Sequence, residues 1–169
     1  MAQKEFHSFL QDGRAASAIL HLRTFVQAQP YRFILAFAAL PSELDVLQAI
    51  LPPYYLPRTL PGKQMAFHLT RAGDALEAGP YGILQPSAEN PQFEMPAGRE
   101  DLVIVPSLAV NKEGCRLGRG GGYYDRARDQ LVRAKIVSVL PDALAGLDFP
   151  GESHDLKVTT VITESGIHE

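Results

Sequence analysis

The sequence predicts an α/β fold with a mainly parallel central sheet. Three observations predict it. Apolar runs without polar alternation recur at residues 32–38, 101–105 and 135–140, as in strands covered on both faces. Segments with apolar residues at helical spacing fall between such runs, so strands and helices alternate. A stretch with four glycines, residues 116–126, lies between a strand pattern and a helix pattern, as phosphate-binding turns of such folds do.

Residues 14–29 read as a helix, with Ala15, Ala18, Ile19, Leu22, Phe25 and Val26 on one face and Pro30 ending it. The run 32–38 is the first strand. Residues 41–51 then read as a second helix. Ser42 is an N-cap, Asp45 resembles the acidic member of a capping box, and Leu44, Leu47, Ile50 and Leu51 form the apolar face. Pro52 and Pro53 stop it. Residues 54–57 suit a short strand. Residues 65–69 alternate, with Met65, Phe67 and Leu69 on one face and Ala66 and His68 on the other. Residues 73–98, rich in Gly, Pro and Asn, read as a surface loop with a turn at Pro86-Ser87-Ala88.

The next strand is 101–105, apolar after Asp101, and the glycine stretch follows. Residues 123–134 read as a helix with Tyr124, Ala127 and Leu131 inward and Arg126, Asp129 and Arg133 outward. Residues 135–140 form another apolar strand, ended by Pro141. The β-branched segment 158–163 is the last. Ligands of such sheets sit at the carboxyl ends of the strands, and the loop after Val105 is at one.

A chain of 169 residues is expected to form one domain with its own core. Its net charge of -3 argues against a dedicated nucleic-acid binder. Cys115 is the only cysteine, which excludes an intrachain disulfide and a cysteine-built zinc cage; it reads as a packed thiol. The longest apolar run, 33–40, is too short to span a bilayer, and residues 1–10 lack a signal-peptide core. The expectation is a cytoplasmic protein without a membrane partner.

Of 16 basic residues 11 are arginine, and Arg116, Arg119, Arg126 and Arg128 surround the glycines. Glycine turns let backbone N–H groups converge, a helix end adds partial positive charge, and guanidinium groups add forked donors. The pattern points to a small anion, a phosphate chain above all. No Gly-Lys-Ser/Thr closes the loop, so it is not a Walker motif, and Tyr123 stands where a dinucleotide fingerprint needs its last glycine. Asp125, in the first helical turn, either pairs with the helix dipole or holds Mg²⁺ beside phosphates.

Arg116-Leu117-Gly118-Arg119-Gly120-Gly121-Gly122-Tyr123-Tyr124-Asp125-Arg126 resembles the signature of the 5-formyltetrahydrofolate cyclo-ligase family. Asp101-Leu102-Val103-Ile104-Val105-Pro106-Ser107-Leu108-Ala109, Gly82-Ile83-Leu84-Gln85-Pro86, Ser42-Glu43-Leu44-Asp45, His154-Asp155-Leu156 and Val161-Ile162-Thr163-Glu164 are similar to further family segments, in order.

The resemblance implies a three-layer sandwich of the NagB/RpiA/CoA-transferase type. It implies MgATP-dependent closure of 5-formyltetrahydrofolate to the 5,10-methenyl form, with release of ADP and phosphate. ATP and Mg²⁺ are the implied cofactors, reduced folate and ATP the implied small-molecule partners, and a monomer or weak homodimer the implied state. Carried over, Lys4, Arg116, Leu117, Gly118, Arg119, Gly120, Gly121, Gly122, Tyr123, Tyr124 and Asp125 hold ATP, with Arg119 and Tyr124 at the chemistry. Asp125 and Asp155 bind Mg²⁺. Glu43, Met65, Phe67 and Tyr124 hold the folate.

Plainer roles stand beside these. Glu43 also fits as a first-turn acid, Met65 and Phe67 as core residues, and one of the two tyrosines as a packed side chain. The chain departs from the family pattern at Ser8, where a basic helix usually has Arg, and at Gly121, Gln85 and Thr159. A homologue that binds folate or nucleotide without catalysis is the second reading of those departures.

Overall fold

A computed structural model describes residues 1–169. Helices α1 (Ala2–Gln11) and α2 (Arg14–Gln27) come first. Gly13, in the left-handed region at φ 90°, makes the turn between them, and Arg14 fixes it by pairing with Asp12, Glu5 and Glu164. Strands β1 (Ile34–Leu35), β2 (Tyr54–Leu60), β3 (Gln64–Thr70), β4 (Glu77–Ala78), β5 (Leu84–Gln85) and β6 (Leu102–Ile104) follow. After these come β7 (Ala109–Asn111), β8 (Arg116–Leu117), α3 (Tyr123–Arg126), α4 (Arg128–Leu131), β9 (Lys135–Val139), β10 (Ala145–Leu147), β11 (Thr160–Ile162) and β12 (Ile167–His168).

The main sheet has seven strands in the order β12-β11-β9-β6-β1-β2-β3. The five inner strands β11, β9, β6, β1 and β2 are parallel, and an antiparallel strand closes each edge. The continuous apolar runs are explained by this. Leu35, Val103 and Val137 are fully buried, as strands covered on both faces require. A core of 34 buried residues takes side chains from α1, α2 and all but the β12 edge of this sheet.

The topology sets the place of the site. From β1 the chain moves to β2 on one side; from β6, the neighbour of β1 on its other side, it moves to β9. The strand order therefore reverses between β1 and β6, and a crevice opens at their carboxyl ends. Residues 36–45 leave β1 there, and residues 105–122 leave β6. The second segment makes the hairpin β7–β8 before it reaches the glycines, and β10 later joins it to complete a three-stranded sheet, β10-β7-β8.

Several elements differ from expectation, for local reasons. Residues 41–51 are not an α-helix. Glu43 N–H closes a turn on Leu40 C=O, and the Glu43 carboxylate accepts the Leu40 N–H at 2.9 Å. Helical structure begins only as a 3₁₀ turn, Val46–Ala49, which Asp45 caps by accepting the Leu47 N–H. Leu51 is left exposed. The helix at 123–134 is two single turns: Ala127, at φ -86° and ψ 3°, separates them, and beyond Leu131 the helix stops, the Gln130 carbonyl accepting the Ala97 N–H instead of one from residue 134. Tyr124 and Leu131 face inward and Arg126, Asp129 and Arg133 outward, as the spacing predicts. Residues 73–98 contain the β4–β5 hairpin. Helix α1, with Phe6 and Phe9 buried, was not evident from the apolar spacing.

At the amino ends of β1 and β6, Asp101 is fully buried and accepts from Arg32 Nε at 3.0 Å, Arg32 Nη2 at 2.6 Å and Gly98 N–H at 2.7 Å. Asp101→Ala strands that N–H and frees the guanidinium. It is expected to lower stability by about 2 kcal/mol, measured by urea unfolding; an unchanged midpoint would show that the lock contributes nothing.

Candidate functional site

The hairpin β7–β8 delivers the glycine stretch to the crevice. Leu108 N–H donates to Leu117 C=O at 2.7 Å, so the ends of the hairpin are tied and the loop starts from a fixed point. Gly118 lies where a Cβ would come within 2.9 Å of Arg116 Nη1, so a side chain there would push that guanidinium from its place. Gly122, at φ 67°, is the left-handed residue that starts α3. Arg126 Nη1 donates to Gly121 C=O at 3.0 Å and pins the loop from behind. α3 is a single turn, so the helix dipole expected here is weak, and the positive field comes from side chains.

Arg116 is the centre of that field. Its side chain is only 6% exposed. Nη2 donates to Asp125 Oδ1 at 3.0 Å, and the guanidinium lies 5.1 Å from the Tyr124 ring centre. Its buried Nε has no partner. Tyr124 is buried as well, and its hydroxyl has no partner. Burial pushes the pKa of that hydroxyl up, the Arg116 charge opposes the push and the Glu43 charge adds to it. A buried cationic N–H and a buried phenol, both unsatisfied, are unusual in a finished core and suit a ligand-binding surface.

Arg119 reaches across the crevice. Its Nε donates to Glu43 Oε1 at 3.0 Å and its Nη2 to Ser42 Oγ at 2.8 Å. The glycine loop is thereby tied to the segment leaving β1. Met65 is half-buried on β3, the strand that lies against α3, whereas Phe67 is fully buried in the core. Tyr123 is half-buried and Leu117 exposed. Lys4 is exposed on α1, which packs on the 3₁₀ turn Asp142–Leu144 that follows β9.

Asp125 Oδ1 also accepts the Leu156 N–H at 3.2 Å, so the segment that follows Asp155 touches it through its backbone. Asp155 in turn holds the Glu152 N–H at 2.8 Å. Mg²⁺ takes one or two carboxylates and completes its shell with water and phosphate. The chain has no group of three or more metal-ligating side chains, so a phosphate would have to complete any such site.

The contacts thus join Arg119 to Glu43, and Arg116 to Tyr124 and Asp125, whereas Asp155 is tied to them only through the backbone of Leu156. Ser42, read beforehand as a helix cap, is a contact of Arg119 instead, and Leu156 contributes through its backbone. A hydroxyl that caps nothing carries no pattern in a sequence. Two grooves of the surface open away from Arg116. One of about 600 Å³ lies between residues 110–114 and the C-terminal strands, and one of about 590 Å³ runs between α2 and residues 41–48, bordered by Glu43. Charge and unsatisfied groups, rather than volume, mark the site.

The sequence profile described as the 5-formyltetrahydrofolate cyclo-ligase family matches residues 11–164. The chain belongs to that family. It is 37% identical over 92 residues to the 5-formyltetrahydrofolate cyclo-ligase of Mycolicibacterium smegmatis, covering 52% of this chain and 45% of the relative. It is 36% identical over 90 residues to the cyclo-ligase of Mus musculus, covering 50% and 44%. The matched region thus spans under half the length of these relatives. Among solved structures, the 5,10-methenyltetrahydrofolate synthetase of Aquifex aeolicus has the same fold, with a TM-score of 0.77 at 22% identity over 99% of this chain and 88% of that one. The Mycoplasma pneumoniae synthetase gives 0.69 at 18% identity, over 96% and 93%. No helix is long and apolar enough to cross a membrane.

Tyr124→Phe removes a buried, unpartnered hydroxyl and is expected to leave stability equal or higher by up to about 1 kcal/mol. The folded hydroxyl titrates above its usual 10.0, so the unfolded chain ionises first and stability falls as pH rises past 10. The variant should lose less stability over that interval in urea melts, and an equal slope would mean that the phenol is solvated.

Proposed function

We propose that this protein converts 5-formyltetrahydrofolate to 5,10-methenyltetrahydrofolate using ATP. The observation that carries the reading is the joining of Glu43 to residues 116–125 by Arg119, at the strand-order reversal, in a chain of this family. The terminal phosphoryl group of ATP passes to the formyl oxygen. N10 then attacks the activated carbon, loses its proton and forms the ring, and the carbon–oxygen bond breaks to release phosphate.

The chain needs no covalent intermediate for this. Its work is positioning and charge neutralisation. Arg116, Arg119 and Lys4 neutralise phosphate charge, and residues 117–122 wrap the chain with backbone N–H groups. Glu43 accepts from the guanidine-like edge of the pterin, and Met65 and Tyr124 line its ring. Phe67 supports that wall from the core. Asp125 and Asp155 would hold Mg²⁺, which when bound screens and orients the phosphates. We read the fold more finely as the three-layer NagB/RpiA/CoA-transferase type, one domain over residues 1–169. We read the protein as a cytoplasmic monomer or weak homodimer.

A homologue that binds without catalysis is the second reading, favoured by Ser8 on α1 where a second cation is expected.

Mixing the protein with 5-formyltetrahydrofolate, ATP and Mg²⁺ should yield the methenyl product, followed by its near-ultraviolet absorbance. Absence of product at high enzyme concentration, with both ligands bound by calorimetry, would establish the second reading. Asp125→Asn keeps acceptors for Arg116 and Leu156 but removes the charge. The buried Arg116 charge then loses its compensation, so the variant should be less stable by roughly 3 kcal/mol and, while still folded by circular dichroism, lose roughly 100-fold or more in turnover; full activity would remove Asp125 from the site.

A further inference from the structure

Arg119, assigned above to phosphate, is held by Glu43, assigned above to the pterin. Ser42 completes the contact through its hydroxyl. The partners are 76 and 77 positions away in sequence, on the two segments that leave the strand-order reversal. The Arg119 side chain is 38% exposed and that of Glu43 14%. The pair is therefore accessible to a phosphate from one side, and its carboxylate is partly desolvated on the other.

We infer that the Ser42–Glu43–Arg119 contact couples the two substrate subsites, so that a nucleotide and a reduced folate each bind more tightly when the other is present. The inference rests on the function proposed above. Phosphate oxygens compete with Glu43 for the guanidinium of Arg119. The pterin amino and ring N–H donors compete with Arg119 for the carboxylate of Glu43. Either ligand alone must break the contact. Once one has done so, the second finds its group already free. Linkage makes the effect reciprocal: the factor by which folate tightens nucleotide equals the factor by which nucleotide tightens folate. The pair is partly exposed, so the factor belongs at the low end of the usual range, about 5-fold, and falls as salt screens the pair. Ser42 touches neither ligand in this account. It is a positioning residue that holds Arg119 toward Glu43.

The test is calorimetric titration of the full chain with adenylyl-imidodiphosphate and Mg²⁺, with and without saturating 5-formyltetrahydrofolate. Wild type should bind the nucleotide analogue about 5-fold more tightly with folate present. Glu43→Gln keeps an acceptor for the Leu40 N–H but loses the ion pair. It should bind the analogue alone more tightly than wild type by the same factor, and added folate should tighten it no further. Ser42→Ala, which touches only the Arg119 end, should bind the analogue alone slightly more tightly and show a reduced folate effect, while its melting temperature stays that of the parent. Equal nucleotide affinity with and without folate in an otherwise active wild type would overturn the coupling and leave the proposed function standing. So would Glu43→Gln affinity equal to wild type. Failure of the wild type to bind either ligand would overturn both.

Discussion

The parallel pairing of β1 with β6 is the constraint on which the rest of the structure depends. Two residues of β1 make it, with Ile34 opposite Leu102 and Leu35 opposite Val103. So short a ladder fixes direction only if its ends are held. At the entry, Arg32 N–H donates to Glu100 C=O at 2.8 Å and Leu102 N–H to Phe33 C=O at 2.9 Å, while the Arg32–Asp101 pair ties the side chains. At the exit the chain leaves on opposite sides. Neither departing segment can pair with the other as a strand, so the space between them is filled by side chains or by a ligand. The arginines of the glycine stretch occupy that space.

What those arginines meet is instructive. A guanidinium 6% exposed cannot stand unpaired, because the desolvation of a full charge costs several kcal/mol or more. Asp125 supplies the compensating charge and Tyr124 the electron-rich ring. The same aspartate is the one we propose for the cation. Its hydrogen bonds fall on one oxygen, Oδ1, which receives both Arg116 and the Leu156 N–H. The arrangement lets one residue stabilise the empty fold through one oxygen and offer the other to a ligand. Glu43 divides its work in the same way, with Oε2 on the Leu40 N–H and Oε1 on Arg119.

Much of the fold was legible in the sequence because burial on both faces leaves an unmistakable trace. The runs at 101–105 and 135–140 contain β6 and β9 almost residue for residue. The segment at 41–51 was not legible, because capping residues are read by their chemistry and not by the partner they find. Ser42 and Asp45 suit a helix start, yet Ser42 is engaged by Arg119 and Asp45 caps a turn three residues later than expected. The early end of α4 coincides with the Gln130 carbonyl accepting the Ala97 N–H, a contact between segments 33 positions apart that no local pattern contains. The site followed the same division. Arg116, Arg119, Asp125 and the glycines were visible as a motif. That Arg119 lies on Glu43 is a fact of topology, accessible only once β1 and β6 are side by side.

The second sheet explains why the motif works as a unit. If the glycines followed β6 directly, their position would be set by a single flexible connection. Instead the chain first makes β7 and β8, which β10 joins from beyond β9. Asn111 locks the turn of this hairpin, its Oδ1 accepting the Glu113 and Cys115 N–H groups at 2.9 and 2.8 Å. Its Nδ2 donates to Phe149 C=O at 2.8 Å, beyond β10. Cys115 is buried just before Arg116. Arg116 thus leaves a three-stranded platform with its direction already set. A loop rich in left-handed glycines loses much backbone entropy when it is ordered, of order 1 kcal/mol per residue. Tying both ends, through Leu108–Leu117 on one side and Arg126–Gly121 on the other, meets part of that loss before any phosphate arrives.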